Sequence, residues 1–210
     1  MQKGGNTFME QLAVITGTFN PLTKAHISMG LLAEKKLGGD SRIVYVPSRH
    51  DFLTGWKEMP DNDILSDKTR ISLLETVLPH YGFTLETCET DGTVTGYTYD
   101  TLCYLCEKYR ISRKNCFYVC GSDKLPELYR WKYAEAFLSG FSFLVFSRNE
   151  DDLQTLLASS PLVSDYTSHF ISLGAIPHME EVSATRIRAA IPDLAGYDWN
   201  SYAEGLLRFL

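Results

Sequence analysis

The strongest constraint on this chain is an alternation. Short apolar runs of strand length (Leu12–Ile15, Arg42–Val46, Phe83–Cys88, Cys116–Cys120, Phe141–Phe146 and Phe170–Leu173) recur along it, separated by stretches with apolar residues at helical spacing. Ala25, Met29, Leu32, Ala33 and Leu37 mark one such helix, and Ile71, Leu74, Val77 and Leu78 mark another, with Ser66 as its N-cap. Further helices are predicted over Tyr99–Tyr109, Leu125–Leu138 and Asp151–Ala158, from Ser183 onward, and over Tyr197–Leu210. Cys116–Cys120 is apolar at every position, as a strand buried on both faces must be. Strand, helix and strand in succession, without an internal repeat, predict an α/β fold: a doubly wound parallel sheet with helices on both faces.

Composition narrows the function. At 210 residues the chain is expected to be a single domain, with a core over 11–192 and a C-terminal helical appendage over about 193–210. Its net charge of −6 argues against binding nucleic acid through a broad basic surface, while leaving room for a small anionic ligand. No apolar run approaches membrane-spanning length, and Met1–Phe8 is polar, so no membrane association and a cytoplasmic location are expected. Cys103-x-x-Cys106 lies on a helical pattern with Tyr99, Leu102 and Tyr109, which favours buried structural thiols over a metal or redox pair. No protein-held metal is expected: His50, His80, His169 and His178 have no ligand spacing.

In parallel sheets ligands bind beyond the carboxyl ends of the strands. Gly17 to Asn20, Arg49, Gly121 to Asp123 and Arg148 all follow predicted strands directly. The first of these leads into a helix carrying His26 in its first turn, where free backbone N–H groups and the helix dipole suit a phosphate. Taken alone, the pattern fits either a phosphate-binding turn or an ordinary βα turn whose histidine caps the helix. The long segment Ser48–Leu65, with Arg49, Phe52, Trp56 and Lys57, either closes over a ligand or packs as surface loop.

Gly17-Thr18-Phe19-Asn20-Pro21 with Thr23-Lys24-Ala25-His26 resembles the first signature of the adenylyl- and cytidylyltransferase superfamily. Ser183-x-Thr185-x-x-Arg188 resembles its second. Between them, Tyr97-Thr98-x-Asp100-Thr101-Leu102 and Gly121-x-Asp123-x-Leu125, with Trp131, look like nicotinate (or nicotinamide) mononucleotide adenylyltransferases. The resemblance implies a Rossmann-like fold and adenylyl transfer from ATP to nicotinate mononucleotide, giving the dinucleotide and pyrophosphate in line, without a covalent enzyme intermediate. It implies Mg²⁺ carried by the ATP phosphates. It assigns Gly17, Thr18, Phe19, His26, Gly121, Asp123, Ser183, Thr185 and Arg188 to ATP, with His26, Arg188 and Thr23 catalytic. Asn20, Lys57, Tyr97, Thr98, Trp131 and Arg148 then face the mononucleotide.

Two positions depart from the usual bacterial pattern. Thr23 stands where many members carry a first histidine, and Ala25 replaces a glycine. The Thr23 hydroxyl is expected to take over the donation to phosphate. A nicotinamide mononucleotide enzyme, another nucleotidyltransferase of the superfamily, and a non-catalytic nucleotide sensor stay as alternatives. Assembly into a homo-oligomer is left open.

Overall fold

The computed structural model describes residues 11–56, 58–147, 152–176 and 182–209. Its six strands are β1 (Gln11–Gly17), β2 (Ser41–Pro47), β3 (Thr84–Leu85), β4 (Cys116–Gly121), β5 (Ser142–Ser147) and β6 (Phe170–Ala175). They form one parallel sheet in the order β3-β2-β1-β4-β5-β6. Helices occupy the crossovers: α1 (Lys24–Leu37), α2 (Asp67–Val77), α3 (Thr98–Tyr109), α4 (Ala134–Gly140), then α5 (Leu153–Ala158) and α6 (Pro161–Ser164). After β6 come α7 (Ala184–Ala189) and α8 (Trp199–Leu207). This is the doubly wound Rossmann-like sheet expected from the alternation. Its strand order reverses between β1 and β4, which opens a crevice at their carboxyl ends.

Period-two alternation sends side chains to two cores. Leu12, Val14, Val44 and Val46 pack with Leu102 and Leu105 of α3 and with Phe137 and Phe143. Ala13, Ile15, Ile43 and Tyr45 face the other way, onto Ile27, Leu74 and Leu206. Each fully buried aliphatic side chain contributes roughly 2 kcal/mol, so both layers hold the strand ends rigidly. At Gly30 a Cβ would come within 2.8 Å of the Phe83 ring and press on the Tyr45 hydroxyl. Glycine there lets α1 lie close to the sheet. The C-terminal helix is tied to the first loop, because the Tyr202 hydroxyl donates to Leu22 O (2.7 Å).

Several sequence expectations change. The strand predicted over Phe83–Cys88 shrinks to Thr84–Leu85 at the sheet edge, where only β2 offers partners. The helix predicted over Leu125–Leu138 is broken. Ser122–Arg130 winds as a 3₁₀ helix containing Pro126, which lacks the N–H an α-helix interior needs. Trp131 is extended, Tyr133 is left-handed (φ 62°), and only then does α4 begin. Segment 48–65 carries a π-helical turn at Phe52–Trp56 and a 3₁₀ turn at Asp61–Asp63. The five cysteines are free thiols; Cys103 is partly buried and the other four are buried. Among the described residues no helix is long and apolar enough to cross a membrane.

Candidate active site

The loop after β1 folds inward more than its sequence suggests. Phe19 sits in the left-handed region (φ 42°) with its ring buried, edge-on to His26 at 5.1 Å. Asn20 is fully buried: its Nδ2 donates to Asp63 O (2.9 Å), and its Oδ1 accepts from Leu65 N–H (2.9 Å). Thr23 is 1% exposed and is the N-cap of α1. Its Oγ1 accepts from His26 N–H (3.4 Å), while its own N–H donates to His26 Nδ1 (3.1 Å).

Those contacts engage the side chains of three expected site residues within the protein. The Phe19 ring supports His26, and the Asn20 amide pins segment 61–65. The Thr23 hydroxyl lies 2.9 Å from His26 Nδ1 and completes a capping box. The side chains turn inward because the loop's backbone groups, once buried, must be satisfied by the polar residues nearest in sequence. A histidine whose Nδ1 accepts from a backbone N–H carries its proton, when neutral, on Nε2. The histidine of this turn thus caps the helix, and the cap fixes its tautomer.

Arg188 reaches this loop from the far end of the chain. Its Nη1 donates to Asn20 O (2.7 Å), across a separation of 168 residues. Its Nη2 donates to Thr185 Oγ1 (3.4 Å). Partial burial lowers the guanidinium pKa, an effect partly offset by Asp63. Ser183 caps α7 by accepting from Arg186 N–H (3.1 Å).

A cleft of about 870 Å³ opens at the switch point, at the upper end of the roughly 300–1,000 Å³ usual for small-molecule sites. It brings together Gly17, Thr18, Tyr97, Thr98 and Trp131. Its floor joins the two central strands, with the Thr16 and Tyr118 hydroxyls 3.2 Å apart. Trp131 stacks on Phe137 (5.9 Å between centroids, 11° between planes) and still lines the cleft. The cleft wall also includes Arg49, which pairs with Asp51 (2.7 Å). Helix α3 enters the cleft wall through Tyr97 and Thr98; its N-cap residue Tyr97 makes no side-chain cap bond, Tyr97 N–H donates to Thr95 Oγ1 (3.2 Å), and Asp100 stands in the first turn. His26, Gly121, Asp123, Ser183, Thr185 and Arg188 do not line this cleft. Asp123 is exposed at the end of β4, 3.4 Å from Lys124 Nζ. The site thus has two parts sharing the loop at 17–20: the cleft, and the side occupied by His26 and Arg188. Lys57 and Arg148 lie outside the described residues.

Two buried charged residues at the site were missed. Arg70 of α2 is 0% exposed and donates to Thr18 O (2.6 Å), Ser48 O (2.8 Å) and Asp67 Oδ1 (2.6 Å). It locks the β1 and β2 carboxyl ends together under the site. Its position had a signal, because Arg70 stands in line with Leu73, Leu74 and Val77 on the buried stripe of α2. Glu89 is 3% exposed, lines the cleft and accepts from Thr101 Oγ1 (2.8 Å). Burial pushes its carboxyl up to about 7, against the opposing effects of the Thr101 hydroxyl and Arg49. Nothing in the local sequence marks it.

A family model described as cytidylyltransferase-like matches residues 14–190. A probable nicotinate-nucleotide adenylyltransferase of Clostridium botulinum (strain Alaska E43 / Type E3) is 24% identical over 192 residues, covering 91% of this chain and 90% of the relative. One of Clostridium acetobutylicum with the same description is 27% identical over 186 residues, covering 87% and 88%. Among solved structures, Plasmodium falciparum nicotinic acid mononucleotide adenylyltransferase complexed with NaAD superposes with a TM-score of 0.65 at 16% identity, over 95% of this chain and 94% of that one. The same protein complexed with APC gives 0.61 at 16% identity, over 86% and 83%.

Proposed function

Because the chain belongs to the cytidylyltransferase-like family, we propose that it transfers the adenylyl group of ATP to nicotinate mononucleotide, a step of NAD biosynthesis. The observation that carries this reading is the joining of Arg188 to Asn20 O (2.7 Å), on the same loop whose Gly17 and Thr18 line the switch-point cleft. It gives one loop a cationic fork on one side and an acceptor-sized space on the other. The full-length likeness to proteins described as nicotinate-nucleotide adenylyltransferases supports the choice of acceptor.

The 5′-phosphate of the mononucleotide attacks the α-phosphorus of ATP in line, and pyrophosphate leaves from the opposite side. No side chain forms a bond to phosphorus. The protein aligns two anions and stabilises the charge that builds on the departing group. His26, with Nδ1 held by Thr23 N–H, presents Nε2–H as a fixed donor. Arg188 offers a planar fork suited to phosphate oxygens. Gly17 and Thr18 let the nucleotide approach the backbone, and Gly121 and Asp123 take the adenosine side. Mg²⁺ carried by the ATP phosphates would offset their charge; among the described residues no group of three His, Cys, Asp or Glu side chains forms a cage for it.

On the acceptor side, Trp131 offers a ring face for the pyridine. The N-terminus of α3, where Tyr97 supplies no side-chain cap, favours an anionic ring substituent through its dipole, and so nicotinate over nicotinamide. The test supplies purified protein with ATP, Mg²⁺ and nicotinate mononucleotide, nicotinamide mononucleotide or phosphopantetheine, and follows pyrophosphate. Release with the nicotinate acceptor alone, or at the highest kcat/KM, is the expected result. ATP binding without release for any acceptor would leave a nucleotide sensor in its place.

A further inference from the structure

Glu89 has no part in the transfer chemistry, yet it occupies the cleft wall. Its carboxyl group is buried beside the first turn of α3, held by the Thr101 hydroxyl at 2.8 Å. Thr98 at the start of the same helix also lines the cleft, so the carboxyl and the helix N-terminus border one space. We propose that Glu89 is a specificity-determining residue, whose carboxyl group tunes the choice between a pyridine bearing a carboxylate and one bearing a carboxamide. This rests on the reading of the cleft as the acceptor site for a pyridine nucleotide.

The physical reason is charge. A neutral carboxyl group leaves the helix N-terminus free to attract an anionic substituent. An ionised one sets a negative charge in the same low-dielectric space, repels the carboxylate, and offers an acceptor to the N–H groups of a carboxamide. A carboxyl group that titrates near neutrality makes the preference depend on pH. The other charged groups lining the cleft are Arg49 and Asp51 from the loop after β2, and Lys124, Glu127, Arg130 and Lys132 from the segment after β4. Arg49 and Asp51 face it as an ion pair from the loop after β2. From α3, Asp100 accepts from the Thr95 hydroxyl (2.5 Å). Burial raises the Tyr118 phenol on the cleft floor and pushes the neighbouring Cys88 thiol up to about 12.

The test measures kcat/KM for both mononucleotides from about pH 6 to about pH 8.5 with wild type and Glu89→Gln. The 5′-phosphate is common to both acceptors, so its titration cancels from their ratio. For wild type, the nicotinate-to-nicotinamide ratio falls about tenfold or more across that range. In Glu89→Gln, which keeps the shape without the charge, the ratio stays flat. A flat wild-type ratio, or an identical slope in both proteins, overturns the proposal while leaving adenylyl transfer intact. If Glu89→Gln does not fold, calorimetry of wild type alone decides. At about pH 7.5, nicotinate mononucleotide should take up a proton on binding and nicotinamide mononucleotide should not; equal uptake for both refutes it. Absence of turnover and of binding with either acceptor removes the parent reading, and this one with it.

Discussion

Thr23→Val separates two accounts of the residue that departs most from the family pattern. In the structure its hydroxyl is a helix cap and a neighbour of the His26 imidazole, buried away from solvent. Valine keeps the shape and the backbone N–H that donates to Nδ1, and removes only the hydroxyl. Losing an N-cap acceptor costs about 1 kcal/mol. For a chain of this size that is about 3 °C in Tm. The backbone anchor on Nδ1 survives, so turnover should fall less than about tenfold, and Thr23→Ser should restore both quantities. Thermal denaturation and steady-state kinetics on the three proteins measure this directly. If Tm stays unchanged while turnover drops at least ~100-fold, the hydroxyl touches the reacting phosphate and the inward-facing description of Thr23 is wrong.

His26→Ala and Arg188→Ala should each lower kcat at least ~100-fold with the fold retained by circular dichroism, as losses of transition-state contacts do. Arg188→Lys should recover little of it, because a lysine has no planar fork to span Asn20 O and a phosphate together. Glu89→Gln should stabilise the protein in alkaline buffer. The carboxyl's folded value of about 7 lies above its ordinary 4.5. Ionising it in the folded state is therefore disfavoured, and stability falls as pH rises from about 4.5 to about 7. The gap corresponds to roughly 3 kcal/mol at full ionisation. Denaturant midpoints should coincide near about pH 4.5, separate as pH rises to about 7, and stay apart above it. Gly30→Ala should cost about 1–3 kcal/mol by forcing α1 off Tyr45 and Phe83, read as a lower denaturant midpoint.

The sheet was legible because each strand is a compact apolar run and each loop breaks it with glycine, proline or asparagine. The carboxyl ends of the strands were legible too, since Gly17 and Gly121 close β1 and β4 and Arg49 follows β2. What stayed hidden was the direction of side chains inside irregular backbone. Asn20, Thr23 and Phe19 are residue types that suit a ligand, and only the fold shows them satisfying Leu65, His26 and the core instead. The break at Trp131 has a sequence cause in Pro126 five residues earlier, but the apolar spacing through Leu138 masks it. Glu89 could not be read at all. Its burial depends on α3 and on the loop after β2 meeting over it, which no local pattern records.

One measurement bears on the central claim most directly: the products formed from ATP, Mg²⁺ and nicotinate mononucleotide, identified by mass and counted against acceptor consumed. The account predicts one dinucleotide and one pyrophosphate for each mononucleotide lost, and both products formed at least ~100-fold more slowly by Arg188→Ala at the same enzyme concentration. ATP bound but left intact, or hydrolysed without a dinucleotide, would contradict it.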